Sequence, residues 1–195
     1  VRDSNSGKVV KAVTGIEPEY HLDPVLVYDF INDCKDIPAN VAESQYMILY
    51  GYSGRFTKIE CNDIRTYANN RGLKVFCIGG VQDVCDKFID CNPFQVIAYF
   101  QHAECVVTDT FHGTILSIIT HRPFASVVRN NGYGNAEKVT DLLERLDLTD
   151  RIIRNLKELS QMLNKVIDYK SVDEVVRNER KKSYEYLERQ IKNEC

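Results

Sequence analysis

Short apolar runs alternate with helical segments along most of this chain, and this alternation restricts the fold more than any single motif does. The apolar runs span Val25 to Asp29, Tyr46 to Tyr50, Leu73 to Ile78, Cys105 to Val107 and Phe124 to Val128. Runs that are apolar at nearly every position are typical of strands covered on both faces, and intervening helices favour parallel pairing. The pattern predicts an α/β fold with a doubly wound, Rossmann-like parallel sheet.

The pattern changes after Gly134, where apolar residues recur only at helical spacing. Val139, Leu142, Leu143 and Leu146 form one such series. The last segment begins with Ser171, Val172, Asp173 and Glu174, which has the form of a capping box, and its apolar stripe continues to about Asn193. We therefore expect a helical C-terminal extension that follows the sheet.

Composition excludes several classes of protein. The chain has 195 residues, of which 44% are hydrophobic, and this is enough to bury one substantial core. The net charge of −3 comes from 25 Lys and Arg against 28 Asp and Glu. This balance argues against nucleic acid as a partner. No apolar stretch approaches the roughly 18 residues that a membrane span requires, so we expect no membrane span.

The seven cysteines form no Cys-x-x-Cys pair, and several lie within apolar runs. Such cysteines pack as small core residues and stay reduced in a cytoplasmic protein. A zinc site of His102, Cys105 and His112 is conceivable, but their spacing matches no standard ligand pattern. We predict no metal.

Residues 105–124 hold most of the chemical information. An apolar strand leads into a polar turn, and the turn opens a helix that carries His112 and Gly113 in its first turn. The free amides and the positive end of a helix dipole favour an anion there, and histidine can exchange a proton near neutral pH. Gly113 allows a ligand to approach the backbone. Side chains that cap the helix or face the anion are Thr108, Asp109, Thr110 and Thr114.

Two further segments lie where loops leave the carboxyl ends of predicted strands. Arg129 follows the strand that ends at Val128, and Asn130 to Gly134 form a loop that could close over a ligand, with Lys138 as a weaker companion. An ordinary exposed loop is the alternative. Gly51 to Arg55 form a second possible ligand loop, although it lacks the nucleotide-binding glycine patterns.

Five separated segments agree with one known family, in the same order along the chain. They are Val1 to Ser6, Leu22 to Leu26, Cys105 to Thr114, Pro123-Phe124, and Leu142-Leu143 with Leu146 to Ile152. Together they resemble the polysaccharide pyruvyl transferase family.

The resemblance implies one lobe of a two-lobe, GT-B-like architecture of the kind found in glycosyltransferases. Residues 1–30 would be the tail of a missing N-terminal lobe and a linker, and residues 31–195 the C-terminal Rossmann-like lobe that ends in long helices. The chain begins at Val1 without a methionine, as expected for a piece of a longer protein. A cleft between lobes needs both walls, so we expect this chain alone to be inactive.

The function implied by the resemblance is transfer of pyruvate from phosphoenolpyruvate to a sugar of a bacterial polysaccharide or its precursor, as a ketal. His112 and Arg2 match the family's histidine and arginine and are the candidate catalytic residues. Candidate substrate-binding residues are Thr108, Asp109, Thr110, Gly113, Thr114 and Arg129. Phosphoenolpyruvate is the donor substrate, and no cofactor is expected.

The expected partners are a saccharide or lipid-linked saccharide acceptor and the missing N-terminal lobe. The expected location is the cytoplasm, including the inner face of the membrane. Two alternatives remain, because fold alone does not determine function. One is a nucleotide-sugar-dependent glycosyltransferase lobe, and the other is a binding or scaffolding lobe without catalysis.

Overall fold

The computed structural model describes residues 1–129 and 136–193, for Asn193 the backbone only. The predicted loop over Asn130 to Gly134 lies outside the described residues, as does Cys195. The strands are β1 (Tyr46–Tyr50), β2 (Lys74–Ile78), β3 (Lys87–Phe88), β4 (Cys105–Thr108), β5 (Phe124–Val127) and β6 (Ile152–Ile153). The helices are α1 (Ser4–Thr14), α2 (Pro24–Val27), α3 (Phe30–Asp33), α4 (Lys58–Arg71), α5 (Pro93–His102), α6 (Phe111–Ile119), α7 (Ala136–Arg145), α8 (Leu159–Asn164) and α9 (Tyr169–Asn193).

The six strands form one sheet in the order β3-β2-β1-β4-β5-β6, and all five neighbouring pairs are parallel. The chain moves outward from β1 through β2 to β3. It then returns to the other side of β1 and moves outward again through β4, β5 and β6. This is the order of the doubly wound Rossmann fold, so the predicted fold class is confirmed.

Both faces of the sheet are buried, which explains why its central strands are apolar at successive positions. In β1, Tyr46 and Ile48 face a core that α5, α6, α7 and α9 cover. Met47 and Leu49 point to the opposite face, where α4 and α8 pack. A strand covered on both sides has no position that favours a polar side chain.

One apolar run was assigned wrongly from the sequence. Val25 to Asp29 was expected to be a strand, but Pro24–Val27 is the short helix α2. Asp23 caps that helix by accepting a hydrogen bond from the Val25 amide over 3.0 Å, and Pro24 fits its first turn. Leu26 is fully buried, so the apolar character of the run reflects burial of a helical turn.

One helix boundary and two edge strands also differ from expectation. Helix α9 begins at Tyr169 and not at Ser171, because Asp168 accepts a hydrogen bond from the Ser171 amide over 3.3 Å. The edge strands β3 and β6 have two residues each, too few to produce a recognisable apolar run.

The first 33 residues pack against the helices of the sheet domain. Leu22 and Leu26 are buried, and Arg180 of α9 donates a hydrogen bond to the carbonyl of Leu26 over 2.7 Å. The division of the chain at residue 30 stays a prediction. Within the described ranges, none of the helices has the length and apolar character needed to cross a membrane.

Candidate functional site

The candidate site lies at the carboxyl edge of the sheet, between β1 and β4. The loops after these two strands diverge there, because the chain leaves β1 on one side and returns to β4 on the other. Tyr50 and Thr108 end the two strands opposite each other. A cleft of about 190 Å³ opens beside them. It is lined by Arg2, Tyr50, Gly51, Tyr52, Gly79, Thr110, Phe111, His112 and Lys138.

Helix α6 begins at this cleft. Its N-cap residue Thr110 accepts a hydrogen bond from the Gly113 amide over 3.0 Å. The amides of Phe111 and His112 precede the first intrahelical bonds, and among the described residues they have no acceptor. These amides and the helix dipole favour an anion. The side chain of His112 is exposed, and its ring lies edge-on to Phe111 with 5.6 Å between ring centroids.

The remaining threonines of the turn are buried beneath the start of α6. Thr108 Oγ1 accepts a hydrogen bond from the Thr110 amide and lies 3.1 Å from Thr110 Oγ1. Thr114 Oγ1 donates to the Thr110 carbonyl and lies 2.8 Å from Ser126 Oγ on β5. These hydroxyls fix α6 to the ends of β4 and β5.

Gly113 brings α6 close to the sheet. A Cβ atom at this position would lie 2.2 Å from Thr108 Oγ1 and 2.8 Å from Tyr50 Cδ1. These distances are far below van der Waals contact, so any side chain would push the helix away from β1 and β4. The glycine therefore sets the distance between His112 and the sheet.

The loop after β1 forms another wall of the cleft, and the buried side chain of Gln82 holds it. Gln82 Nε2 donates to the Tyr52 carbonyl over 2.6 Å, and its Oε1 accepts from the Phe56 amide over 3.2 Å. The Tyr52 ring itself is 61% exposed at the rim. The sequence indicates this loop as a possible ligand loop but does not indicate what it binds.

Two cations reach the cleft from distant parts of the chain. Arg2 forms an ion pair with Asp23, and its guanidinium carbon lies 5.1 Å from the centroid of the Phe111 ring. Lys138 comes from the first turn of α7. With His112 they give the cleft three basic side chains, and no Asp or Glu of the described ranges lines it.

Asp109 does not line the cleft and belongs to a network of charged side chains. Its carboxylate lies 2.8 Å from Arg55 Nε and 3.7 Å from Arg129 Nε. Arg129 Nη1 donates to Glu60 Oε1 over 2.5 Å. Burial raises the pKa of Asp109 above its ordinary value, against the opposing effect of the two guanidinium groups. Burial also acts to raise the pKa of Glu60, but hydrogen bonds from Arg129 and Thr57 have the larger, opposite effect. The pKa of Glu60 is therefore lowered.

The structure thus brings together some of the predicted site residues and separates others. Arg2, Thr110 and His112 line one cleft, together with Lys138. Five others lie beneath or beside it, in contacts with the protein itself: Thr108, Asp109, Gly113, Thr114 and Arg129. Whether they also contact a substrate stays a prediction.

Several residues of the site were missed from the sequence. Tyr50 and Phe111 carried no signal beyond an apolar pattern. Asp23, the partner of Arg2, stood out only as part of a segment that resembles the family. For metals, no cluster of three His, Cys, Asp or Glu able to hold an ion occurs in residues 1–129 and 136–193.

Three comparisons with known proteins bear on this site. A family model described as polysaccharide pyruvyl transferase matches residues 1–131, more than half of the chain. The search of curated proteins gives no match. A crystal structure described as the glycotransferase of kitacinnamycin is similar with a TM-score of 0.49 and 13% identity, over 81% of this chain and 46% of that one. This chain thus spans less than half the length of that protein.

Proposed function

The chain belongs to the polysaccharide pyruvyl transferase family, and from that premise we propose that it moves a pyruvyl group from phosphoenolpyruvate to a sugar of a bacterial polysaccharide or its precursor. The supporting observation is the cleft at the start of α6. Arg2, His112 and Lys138 surround free helix amides there, and no carboxylate of the described residues lines the cleft. Phosphoenolpyruvate carries a phosphate and a carboxylate, so it requires such a surrounding.

The proposed chemistry joins one donor carbon to two sugar oxygens. A proton is added to the methylene carbon of the donor, and C2 becomes an oxocarbenium-like centre. One sugar hydroxyl attacks C2, the bond from C2 to the phosphate oxygen breaks, and a second hydroxyl takes its place. Of the two hydroxyl protons released, one balances the proton gained by the methylene group, and the other leaves with the phosphate. The reaction needs a proton carrier and stabilisation of anionic oxygens.

The residues of the cleft can be given roles in this scheme. His112 is exposed at the start of α6 and carries the proton or binds the leaving phosphate. Arg2 offers a planar fork that suits a carboxylate or phosphate, and Lys138 acts as a point charge. Thr110 orients the first turn of α6.

We place the other predicted substrate-binding residues in a supporting role. Thr108 and Thr114 hold α6 on the sheet, and Gly113 lets it approach closely. Asp109 and Arg129 connect the loops around the cleft. In this proposal no cofactor takes part. The saccharide or lipid-linked saccharide acceptor, and the base that activates it, meet the donor on a second lobe in the cytoplasm.

Phosphate release provides the direct test. The complete protein is incubated with phosphoenolpyruvate and a panel of saccharide acceptors, and acceptor-dependent phosphate is measured. We expect release with one acceptor class and thermal stabilisation by phosphoenolpyruvate. Stabilisation by a UDP- or GDP-sugar but not by phosphoenolpyruvate would overturn the proposal and favour a nucleotide-sugar glycosyltransferase.

A further inference from the structure

Arg2 is held in the cleft by groups on both sides of its guanidinium. Its Nη1 donates to Asp23 Oδ2, and its guanidinium carbon lies 5.1 Å from the centre of the Phe111 ring. The Asp23 side chain is 2% exposed, whereas that of Arg2 is 39% exposed. The carboxylate is thus buried behind the arginine, and part of the fork remains open to solvent.

The backbone around this pair is fixed as well. Arg145 Nη1 donates to the carbonyls of Arg2 and His21, each over 3.3 Å. Arg145 is itself paired with Glu179 of α9 over 2.8 Å. The main chain before Asp23 and the main chain of Arg2 are therefore attached to the same guanidinium group.

We infer that Asp23 is a positioning residue that presents Arg2 to the anionic donor. This inference rests on the function proposed above and adds a residue to that site. A free arginine side chain has several rotatable bonds, and binding a ligand would have to order them. The pair with Asp23 and the contact with Phe111 order them in advance, which lowers the cost of binding. Asp23 does not line the cleft, so it acts through Arg2.

Asp23 has a second role that any test must leave intact. Its Oδ1 accepts a hydrogen bond from the Val25 amide over 3.0 Å and caps α2. Asparagine caps helices as well as aspartate does, so Asp23→Asn keeps the cap and removes the charge that holds Arg2. Asp29 provides a matched control, because it caps α3 and pairs over 2.7 Å with Arg180, an arginine that does not line the cleft.

The experiment measures steady-state kinetics of the complete protein with phosphoenolpyruvate as the varied substrate. We expect Asp23→Asn to raise KM for phosphoenolpyruvate about tenfold, the size expected for weakening one charged hydrogen bond, and to change kcat less than about threefold. Asp29→Asn should leave both constants within about twofold. In an Arg2→Ala background, Asp23→Asn should have no further effect on KM, since the residue it positions is gone.

The outcomes separate this inference from the proposed function. Wild-type KM in the Asp23→Asn variant would overturn the positioning role while leaving pyruvyl transfer standing. An equal rise in KM with and without Arg2 would also overturn it, because the effect would then come from α2. A wild-type protein that neither binds nor turns over phosphoenolpyruvate would overturn both.

Discussion

The Nε atom of Arg55 lies 2.8 Å from the carboxylate of Asp109, and this ion pair joins the loop after β1 to the turn after β4. The Asp109 side chain is only 1% exposed, so its charge has lost most of its hydration. Removing one charge from a buried pair is costly because the other charge stays behind. The walls of the cleft therefore depend on a pair that does not line it.

Arg55→Met should destabilise the fold by about 3 kcal/mol, the lower part of the range for breaking a buried ion pair. The substitution keeps most of the length of the side chain but leaves the buried Asp109 carboxylate without its nearer guanidinium partner. Chemical denaturation measures the change. Asp173→Asn is the control, since Asp173 is 44% exposed in its pair with His121 and should contribute less than about 1 kcal/mol. Equal losses in the two variants would contradict the role given to the pair of Arg55 and Asp109.

His112→Ala should reduce acceptor-dependent phosphate release by about 10²- to 10⁴-fold, the usual contribution of a proton-transferring side chain. The imidazole is exposed, so thermal stability should hardly change. His102→Ala serves as the control because His102 is also exposed but lies at the end of α5, outside the cleft. Normal activity of the His112 variant would remove this residue from the mechanism and favour a lobe that only binds.

Gly113→Ala should destabilise the protein by about 1–3 kcal/mol, because the new Cβ would meet Thr108 and Tyr50 at the base of α6. Moving α6 also moves His112, so KM for phosphoenolpyruvate should rise. Gly7→Ala is the matched control on α1, where the atoms nearest the new methyl group are Oη, Cζ and Cε1 of the half-buried Tyr20 side chain. That ring can rotate away, and the cost should be small. A tolerated Gly113→Ala would mean that α6 can shift freely.

Glu60→Gln should lower the stability of the fold at neutral pH and make that stability less sensitive to acid. Burial acts to raise the pKa of Glu60, but hydrogen bonds from Arg129 and Thr57 lower it overall. A carboxyl group whose pKa is lower in the folded than in the unfolded state stabilises the fold at pH values above its unfolded pKa of about 4.3. This stabilisation is lost as the pH falls through the folded-state pKa. The difference in Tm between wild type and variant should thus be full at pH 7 and shrink below about pH 4.

Thermal unfolding at several pH values between about 3 and 7 measures this difference in Tm, because that range spans the titration of carboxyl groups. Glu174→Gln is the control, since Glu174 is exposed on α9 and the variant should follow the wild-type curve. A Tm difference for Glu60→Gln that is the same at both ends of the range would contradict the prediction.

The fold could be predicted from the sequence wherever burial requires a run of apolar residues. Strands β1, β2, β4 and β5 are covered on both faces and are therefore apolar at most positions. Val25 to Asp29 has a similar composition, and only Asp23 and Pro24 before it indicate the short helix Pro24–Val27. The edge strand β3 is exposed at both positions and has no apolar pattern to detect.

The site was predictable only in its local part. Thr110 and His112 belong to one turn, and the order of strand, polar turn and helix indicated their place. Arg2 and Lys138 reach the same cleft through the path of the whole chain, which depends on how α1 and α7 pack. Arg2 was predicted as a site residue only through the family resemblance, and Lys138 only as a weaker companion of the loop after Arg129. The pairing of Asp109 with Arg55 left no sequence signal, because nothing local relates the two loops.

The cleft also has a place in the order of folding. Tyr50 and Thr108 flank it from adjacent strands, yet two helices and two strands lie between them in the chain. Pairing two strands that are far apart in the sequence requires closure of a long loop, and the chain loses this entropy before stabilising contacts form. Such pairs therefore tend to form late. A refolding molecule should therefore acquire its helices before it can hold an anion. During refolding, the return of phosphoenolpyruvate binding would then report when strands β1 and β4 have paired. Circular dichroism could not report this step, because its signal also contains the helices that form earlier.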